Sequence, residues 1–420
     1  MSVERKVPAI RFKGFGEDWD RKDVGEFYDF KNGLNKGKEY FGYGVPIVNF
    51  TDVFHNRGLL ATKLKGKVCL TSKEVKNFEV KKGDIFFTRT SETIEEIGYP
   101  SVMMDNTNSV VFSGFVLRAR AIGEDPLALL FKQYVFFTRQ FRKEMVKKSS
   151  MTTRALTSGT AIKKMSFVYP VNKMEQTKIG NYFQQLDTLI TQHQKKHDKL
   201  LKVKKALLEK MFPKQGQAEP EIRFKGFSGG WETKKITELS KVFIGLVTTM
   251  TKYYRNDGVL LIRNSDIKNN RFEFSEDPIY LDNNFADENS GRKLGIGDVV
   301  TVHTGDVGTS AVITKNEEGA IGFATIITRP KKEMIDSNYL STYLNSDIHK
   351  RYAISVSTGD GRANYNLKDF YEVKVTFPEK KEQKKIGDLF KYMDNLINYH
   401  YTQLKKLNNI KRACLAKMFV

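Results

Sequence analysis

The side chains best suited to chemistry in this chain are cations, amides and small hydroxyls gathered in short polar stretches. The first stretch holds Lys31, Asn32, Asn35, Lys36, Lys38 and Tyr40, and another, just past a Gly-Asp pair, holds Thr88, Arg89 and Thr90. The same residue types return as Thr248, Thr249, Lys252, Tyr253, Tyr254 and Arg255, then His303 and Thr304, then Arg362, Asn364 and Tyr365. Arg and Asn carry paired donors and acceptors that match base edges, and Lys, Arg and hydroxyls suit phosphate oxygens. The chemistry indicated is recognition of a nucleic acid. Each residue taken singly reads equally well as solvated surface, because Lys and Arg abound throughout; the clusters carry the reading.

Bond-making constellations fare worse. His193 and His197 stand four apart on a helix, the spacing of a metal pair, but both fall on an apolar seam where packing against a partner helix is the simpler role; no metal is expected. Residues 33–39 read GLNKGKE, with too few residues between the glycines for a phosphate loop and Glu39 where a magnesium-binding hydroxyl belongs. Gly14-Phe15-Gly16 and Gly295-Ile296-Gly297 lack the third glycine of a dinucleotide loop. Cys69 and Cys414 have no Cys or His neighbours at ligand spacing, which argues against a zinc module or a disulfide framework.

Composition sets the scale. A chain of 420 residues exceeds what one core organises, so two or more domains are expected. With 40% hydrophobic and 12% aromatic residues it has the make-up of a folded protein. A formal charge of +21 favours a polyanionic partner. An anionic membrane surface is the rival. No apolar run approaches the roughly 18 residues needed to cross a bilayer, and MSVERKVPAI at residues 1–10 lacks a signal-peptide core, so a cytoplasmic protein without membrane contact is expected.

The elements that must position the clusters come in duplicate. Residues 8–19 (PAIRFKGFGEDW) match 220–231 (PEIRFKGFSGGW), and 174–213 align without gaps to 381–420. In the longer pair about 18 of the 40 positions are identical, more than shared Lys and Leu explain. Between these anchors YGVPIVNFTDV (43–53) echoes DGVLLIRNSDI (257–267), and KKGDIFFTRT (81–90) echoes GIGDVVTVHT (295–304). The longer anchor is helical: Pro170 and Pro378 precede it, and Gly occurs only at Gly180 and Gly387 near its start. Its apolar residues recur at steps of four and three, through Ile179, Phe183, Leu186, Ile190 and His193 in one copy and Ile386, Phe390, Met393, Ile397 and His400 in the other. Two such seams in one chain predict an antiparallel pair with pseudo-two-fold symmetry. A helix of about 38 residues is about 57 Å long, or about 17 base pairs, which is a molecular ruler.

The segments between read as short strands with turns and a few helices. GDIFF and GDVVTV follow a Gly-Asp turn into β-runs, while residues 125–146 and 334–354 are helical in pattern. The expected class is α+β: two similar mixed α/β domains separated by two long antiparallel coiled-coil helices. The boundaries expected are 1–172 for the first domain, 173–213 for the first helix, a linker at 214–219, 220–378 for the second domain and 379–420 for the second helix.

In this order the residues resemble the type I restriction-modification specificity subunits. The likeness covers nearly the whole chain. It rests on Gly83-Asp84 and Gly297-Asp298 opening a strand and on a Ser/Thr-Gly turn late in each domain, Ser158-Gly159-Thr160 and Thr358-Gly359-Asp360. It rests also on Pro, Glu-Gln, Ile-Gly and Asp-x-x-Ile in PVNKMEQTKIGNYFQQLDTLI and PEKKEQKKIGDLFKYMDNLI. One departure stands out: where many members carry a Gly-Gly-Thr-Pro-like turn, this chain has NGLNKGKEY (32–40) and GLVTTMTKYY (245–254). The resemblance implies two target-recognition domains, each reading half of a bipartite, asymmetric double-stranded DNA site, with helices fixing the unread gap. It implies two methyltransferase subunits that use S-adenosylmethionine to methylate adenine, and two restriction subunits that use ATP and Mg2+ for translocation and cleavage. No catalysis and no cofactor would then belong to this chain. Phe183, Leu189, Phe390 and Leu396 would face the methyltransferase helices.

Two other classes compete. Asp277-Pro278-Ile279-Tyr280 resembles the Asp-Pro-Pro-Tyr pocket of a stand-alone DNA adenine methyltransferase, but lacks the second proline and a preceding glycine-rich loop. A coiled-coil nucleic-acid-binding scaffold shares the charge argument without explaining two diverged copies.

Overall fold

A computed structural model describes residues 7–214, 216–359 and 361–420. The chain forms two compact units, residues 1–192 with 403–420 and residues 193–402. The class is α+β, with two similar mixed α/β domains and two long helices, Lys173–Lys210 and Lys380–Lys417.

In the first unit a five-stranded sheet runs in the order Tyr28–Asn32, Val116–Ala121, Ile85–Thr88, Pro100–Met103, Gly58–Leu59. In the second a four-stranded sheet runs Ser240–Ile244, Ile326–Pro330, Val299–Thr301, Ser310–Val312. The central strands are apolar without alternation because both faces are covered. Ile85 and Phe87 face the core under the helices while Phe86 faces a smaller one with Val48 and Phe112. Val299 and Ile326 against Val300 and Ile327 repeat the arrangement in the second unit.

Each expected helical segment is two helices rather than one. Leu129–Val135 stops before Thr138, whose hydroxyl accepts from Phe141 N and starts Arg139–Lys148. Ser337–Leu344, capped by Asp336, stops before Ser346, and Asp347–Val356 follows. At Thr138 an N-capping hydroxyl inside an apolar pattern offers the backbone a new start that periodicity alone does not register, whereas the Ser346 hydroxyl donates back to Tyr343 O at 2.6 Å and closes the earlier helix.

The repeated sequence motifs are assembly devices. The Arg of RFKGF meets the Glu of Glu-Gln in both copies: Arg11 Nε donates to Glu175 at 2.6 Å, and Arg223 Nε to Glu382 at 2.9 Å. Both carboxylates are fully buried. The neighbouring amides tie down the loop before each shorter helix: Gln176 Nε2 donates to Pro126 O and Pro170 O, and Gln383 Nε2 to Met334 O and Pro378 O. Gly180 and Gly387 allow the long helices to approach backbone, since a Cβ there would lie 2.8 Å from Phe131 N or 2.7 Å from Tyr339 N.

The helices pair antiparallel within each unit. In the first, Tyr182 meets Cys414 at 3.6 Å and Asp187 pairs with Lys411. In the second, Lys204 pairs with Asp394, and His193 Nδ1 lies 2.9 Å from His400 Nδ1. His193 and His400 are the same position of the repeat, so antiparallel pairing sets them opposite each other. His197 Nδ1 instead meets Asp198 at 3.2 Å, and the two histidines spaced four apart are occupied separately. The helix ends are exchanged: Met418 and Phe419 complete the core of the first unit, Met211 and Phe212 that of the second.

Candidate nucleic-acid interface

The Gly-Asp pairs anchor the surface rather than belong to it. Gly83 and Gly297 adopt φ of 86° and 92°, the left-handed turn glycine tolerates. The buried Asp84 carboxylate receives Arg120 Nε at 2.7 Å and Lys81 N at 2.7 Å; Asp298 receives Arg329 Nε at 2.8 Å and Gly295 N at 2.9 Å. These clamps fix the strands that lead to Arg89 and His303.

Beyond the strands, three segments meet at one edge of each unit in the same order. In the first, Gly114 N donates to Leu34 O at 2.8 Å, Arg89 N to Phe115 O at 3.0 Å, and Thr157 N to Arg89 O at 3.1 Å. In the second, Ala324 N donates to Leu246 O at 2.8 Å and Tyr365 N to His303 O at 2.8 Å, while Asn264 bridges Ala324 O and His303 N. The loop after Asn32, the Arg89-Thr90 strand end and the strand pair Ser150–Met151/Ala155–Leu156 thus correspond to the loop after Gly245, His303-Thr304 and the bridge Thr358↔Asn364.

Several residues expected to touch nucleic acid lie on this edge. Asn32, Asn35, Lys38, Tyr40, Thr248, Thr249, Lys252, Arg255 and Arg362 are exposed; Arg89, Thr90, His303, Thr304 and Asn364 are half-buried. Burial lowers the His303 pKa, favouring the neutral ring. Thr304 Oγ1 donates to Asn364 Oδ1 at 2.9 Å, orienting that amide. Other members are spoken for. Lys31 donates to Asn77 O at 2.7 Å, and Lys36 pairs with Glu74 at 2.7 Å beneath the Tyr40 ring. Tyr253 stacks on Phe285 with centroids 3.9 Å apart, Tyr254 is half-buried in a strand against Leu281, and Arg255 pairs with Asp282.

Two expected contacts are corrected. Thr88 is fully buried, and its hydroxyl accepts from Tyr99 N at 2.9 Å. Tyr365 is fully buried with its hydroxyl on His349 Nε2 at 3.2 Å. Both stand on the inward side of a strand end whose next residue points out.

The expected pairing of the late turns is also corrected. Ser158 caps the helix Gly159–Lys163, and its counterpart is Asn366, which precedes Leu367–Tyr371. Thr358 corresponds to Ser150 instead, because Thr358↔Asn364 and Ser150↔Leu156 are equivalent pairs. Asp360 lies outside the described residues. In this register Arg154 answers Arg362. The sequence carries a signal, Arg-Ala, one further residue and then a buried one (Thr157, Tyr365) in both copies, which the matching of glycines obscures.

Phe183 and Phe390 are corrected too. Both are fully buried and offer no surface to a partner. Leu189 is exposed and Leu396 half-buried, and the large exposed hydrophobic side chains of the second helix are Tyr392, Tyr399 and Tyr401, off the apolar seam. The segment ending at Tyr280 runs into an interior strand of a sheet: Ile279 O accepts from Leu261 N at 2.9 Å, and Tyr280 pairs with Arg255 on one side and Leu260 on the other.

The His349 environment makes an acid-stability prediction. His349 Nδ1 donates to Leu344 O at 2.7 Å, Tyr365 OH lies on Nε2, and burial depresses the ring's pKa from 6.5 to about 4. The folded state disfavours the protonated ring, so the contribution is complete above pH 6.5 and is lost as pH falls toward about 4. The second unit is expected to lose up to about 3 kcal/mol across that window. Denaturant titrations read through Trp231 at several pH values check it, with His349→Gln flattening the dependence.

Comparison with known proteins agrees with this organisation. A family model described as type I restriction modification DNA specificity domain matches residues 228–409. The type I restriction enzyme MjaIX specificity subunit of Methanocaldococcus jannaschii is 25% identical over 59% of this chain and 57% of its own length. The EcoBI specificity subunit of Escherichia coli is 24% identical over 39% of this chain and 35% of its own. These matches span little more than half of the curated relatives at most. The crystal structure of the type I restriction-modification S subunit from M. genitalium aligns over 99% of both chains with a TM-score of 0.61 at 15% identity, a likeness of fold. Among the described residues no helix is long and apolar enough to cross a membrane. The duplicated motifs and the paired helices agree with this likeness, in which residues 228–409 match the type I restriction modification DNA specificity domain.

Proposed function

We propose that the chain reads a bipartite, asymmetric sequence in double-stranded DNA, one half-site per unit, and directs adenine methylation and cleavage carried out by partner subunits. The observation that carries this reading is one backbone frame bearing two different sets of side chains: Arg89-Thr90 against His303-Thr304, and Asn35 against Val247. A common frame with diverged edge residues is what two readers of unlike half-sites require, since hydrogen-bonding groups at base edges specify and backbone contacts position. The long helices set the unread gap by their length, about 57 Å each. S-adenosylmethionine, ATP and Mg2+ belong to two methyltransferase and two restriction subunits.

The test is modified-base sequencing of host DNA carrying the chain with its methyltransferase subunits. Two short specified blocks separated by a constant unread gap are expected. Replacing Asn32, Asn35 and Lys38 by Ala is expected to relax one block and leave the other intact. Methylation without sequence preference, or equal relaxation of both blocks, overturns the reading. Transfer of labelled methyl groups by the isolated chain would instead favour an enzyme.

A further inference from the structure

We propose that Arg154 and Arg362 are equivalent base-reading residues, one per unit, each directed at a guanine in its half-site. The inference rests on the DNA-reading function above and goes further by assigning the residue and the base.

Thr90 pairs with Leu156 and Ser150 with Leu156; Thr304 pairs with Asn364 and Thr358 with Asn364. Counting from these pairs sets Arg154 two residues before Leu156 and Arg362 two before Asn364. Both arginines are exposed. The Arg154 side chain keeps 65% of its surface free and meets only the outer edge of the exposed Glu92 at 4.0 Å. Most arginines elsewhere on these frames are consumed: Arg11, Arg120, Arg223 and Arg329 hold buried carboxylates, and Arg142 donates to Gly98 O and Ile97 O. In each unit an arginine left free has been retained at the same projecting point, beside the same strand end.

The chemistry then selects the base. A guanidinium offers two parallel donors, and guanine alone presents two acceptors, N7 and O6, side by side in the major groove. The surroundings of the two arginines differ. Lys147 and Lys148 line a cleft of about 290 Å³ behind the Arg154 strand pair, whereas the corresponding positions near Arg362 are Ser355 and Val356. Lys148 is itself held by Glu144 and by Lys164 O, so Lys147 is the cation that distinguishes the first unit, while the arginine is common to both.

The experiment uses the full chain with its methyltransferase subunits, and the methylated motif is read from host DNA by modified-base sequencing. Arg154→Ala is expected to turn one guanine position of one half-site degenerate, with discrimination there falling about tenfold or more, and Arg362→Ala to do the same in the other half-site. Arg154→Lys keeps the charge but not the paired donors, and is expected to relax the same position. An unchanged motif in the alanine variants, or methylation lowered evenly at all sites without a change of motif, overturns the assignment and leaves the DNA-reading function standing. A wild-type complex that shows no two-block motif overturns that function itself, and the assignment with it.

Discussion

Phe419→Ala is expected to destabilise the first unit by about 3–5 kcal/mol and leave the second nearly unchanged, because truncating a core aromatic loses both transfer energy and packing. Phe419 is almost wholly buried, with ring centroids 5.6 Å from Phe131, 5.8 Å from Phe183 and 6.2 Å from Trp19. Phe212 makes the matching contacts in the second unit, 6.1 Å from Trp231 and 6.3 Å from Phe390. The chain's two tryptophans therefore report one unit each. In a Trp231→Phe background, urea unfolding followed through Trp19 should shift strongly with Phe419→Ala; through Trp231 in a Trp19→Phe background it should shift with Phe212→Ala. A loss under about 1 kcal/mol at the matching reporter would show that the exchanged helix ends do not complete these cores.

The second large effect concerns the Arg–Glu anchors. Arg11→Ala leaves the Glu175 carboxylate buried without its ionic partner, and removal of one member of a buried pair costs about 3–5 kcal/mol. Arg11→Met with Glu175→Leu, which removes both charges, is expected to cost far less, so a double-mutant cycle should return a coupling of at least about 2 kcal/mol. Arg223 and Glu382 should behave alike in the second unit, where the guanidinium also reaches Gly229 O at 2.6 Å. Additive single and double variants would mean that the motif's value lies elsewhere.

These anchors explain which parts of the molecule were legible in the sequence. Duplication exposed the helices, their seam and their antiparallel pairing, because Asp187, His193 and Lys204 recur as Asp394, His400 and Lys411. It also exposed the Glu-Gln and Gly-Asp motifs, though not their work: a fully buried carboxylate and a solvent-facing one look the same as letters. The site was legible as clusters and not as members. Thr88 and Tyr365 sit among half-buried polar neighbours, but the period-2 alternation of an extended strand turns them inward. Phe183 and Phe390 fit a helical surface stripe, yet that stripe faces their own domains' short helices. Arg154 is not legible as the counterpart of Arg362 because the glycines match Ser158-Gly159 to Thr358-Gly359, whereas hydrogen-bond register, absent from a linear string, makes Ser150 the counterpart of Thr358.

The exchange of helix ends also bears on how the molecule is made. The second unit is a continuous stretch, residues 193–402, whereas the first waits for residues 403–420. On a ribosome, the earlier-synthesised half emerges with a gap where Met418 and Phe419 belong, its aromatic lining wet until residues 403–420 follow. Vectorial production thus favours maturation of the later half first, and the earlier half must be shielded from aggregation in the interval.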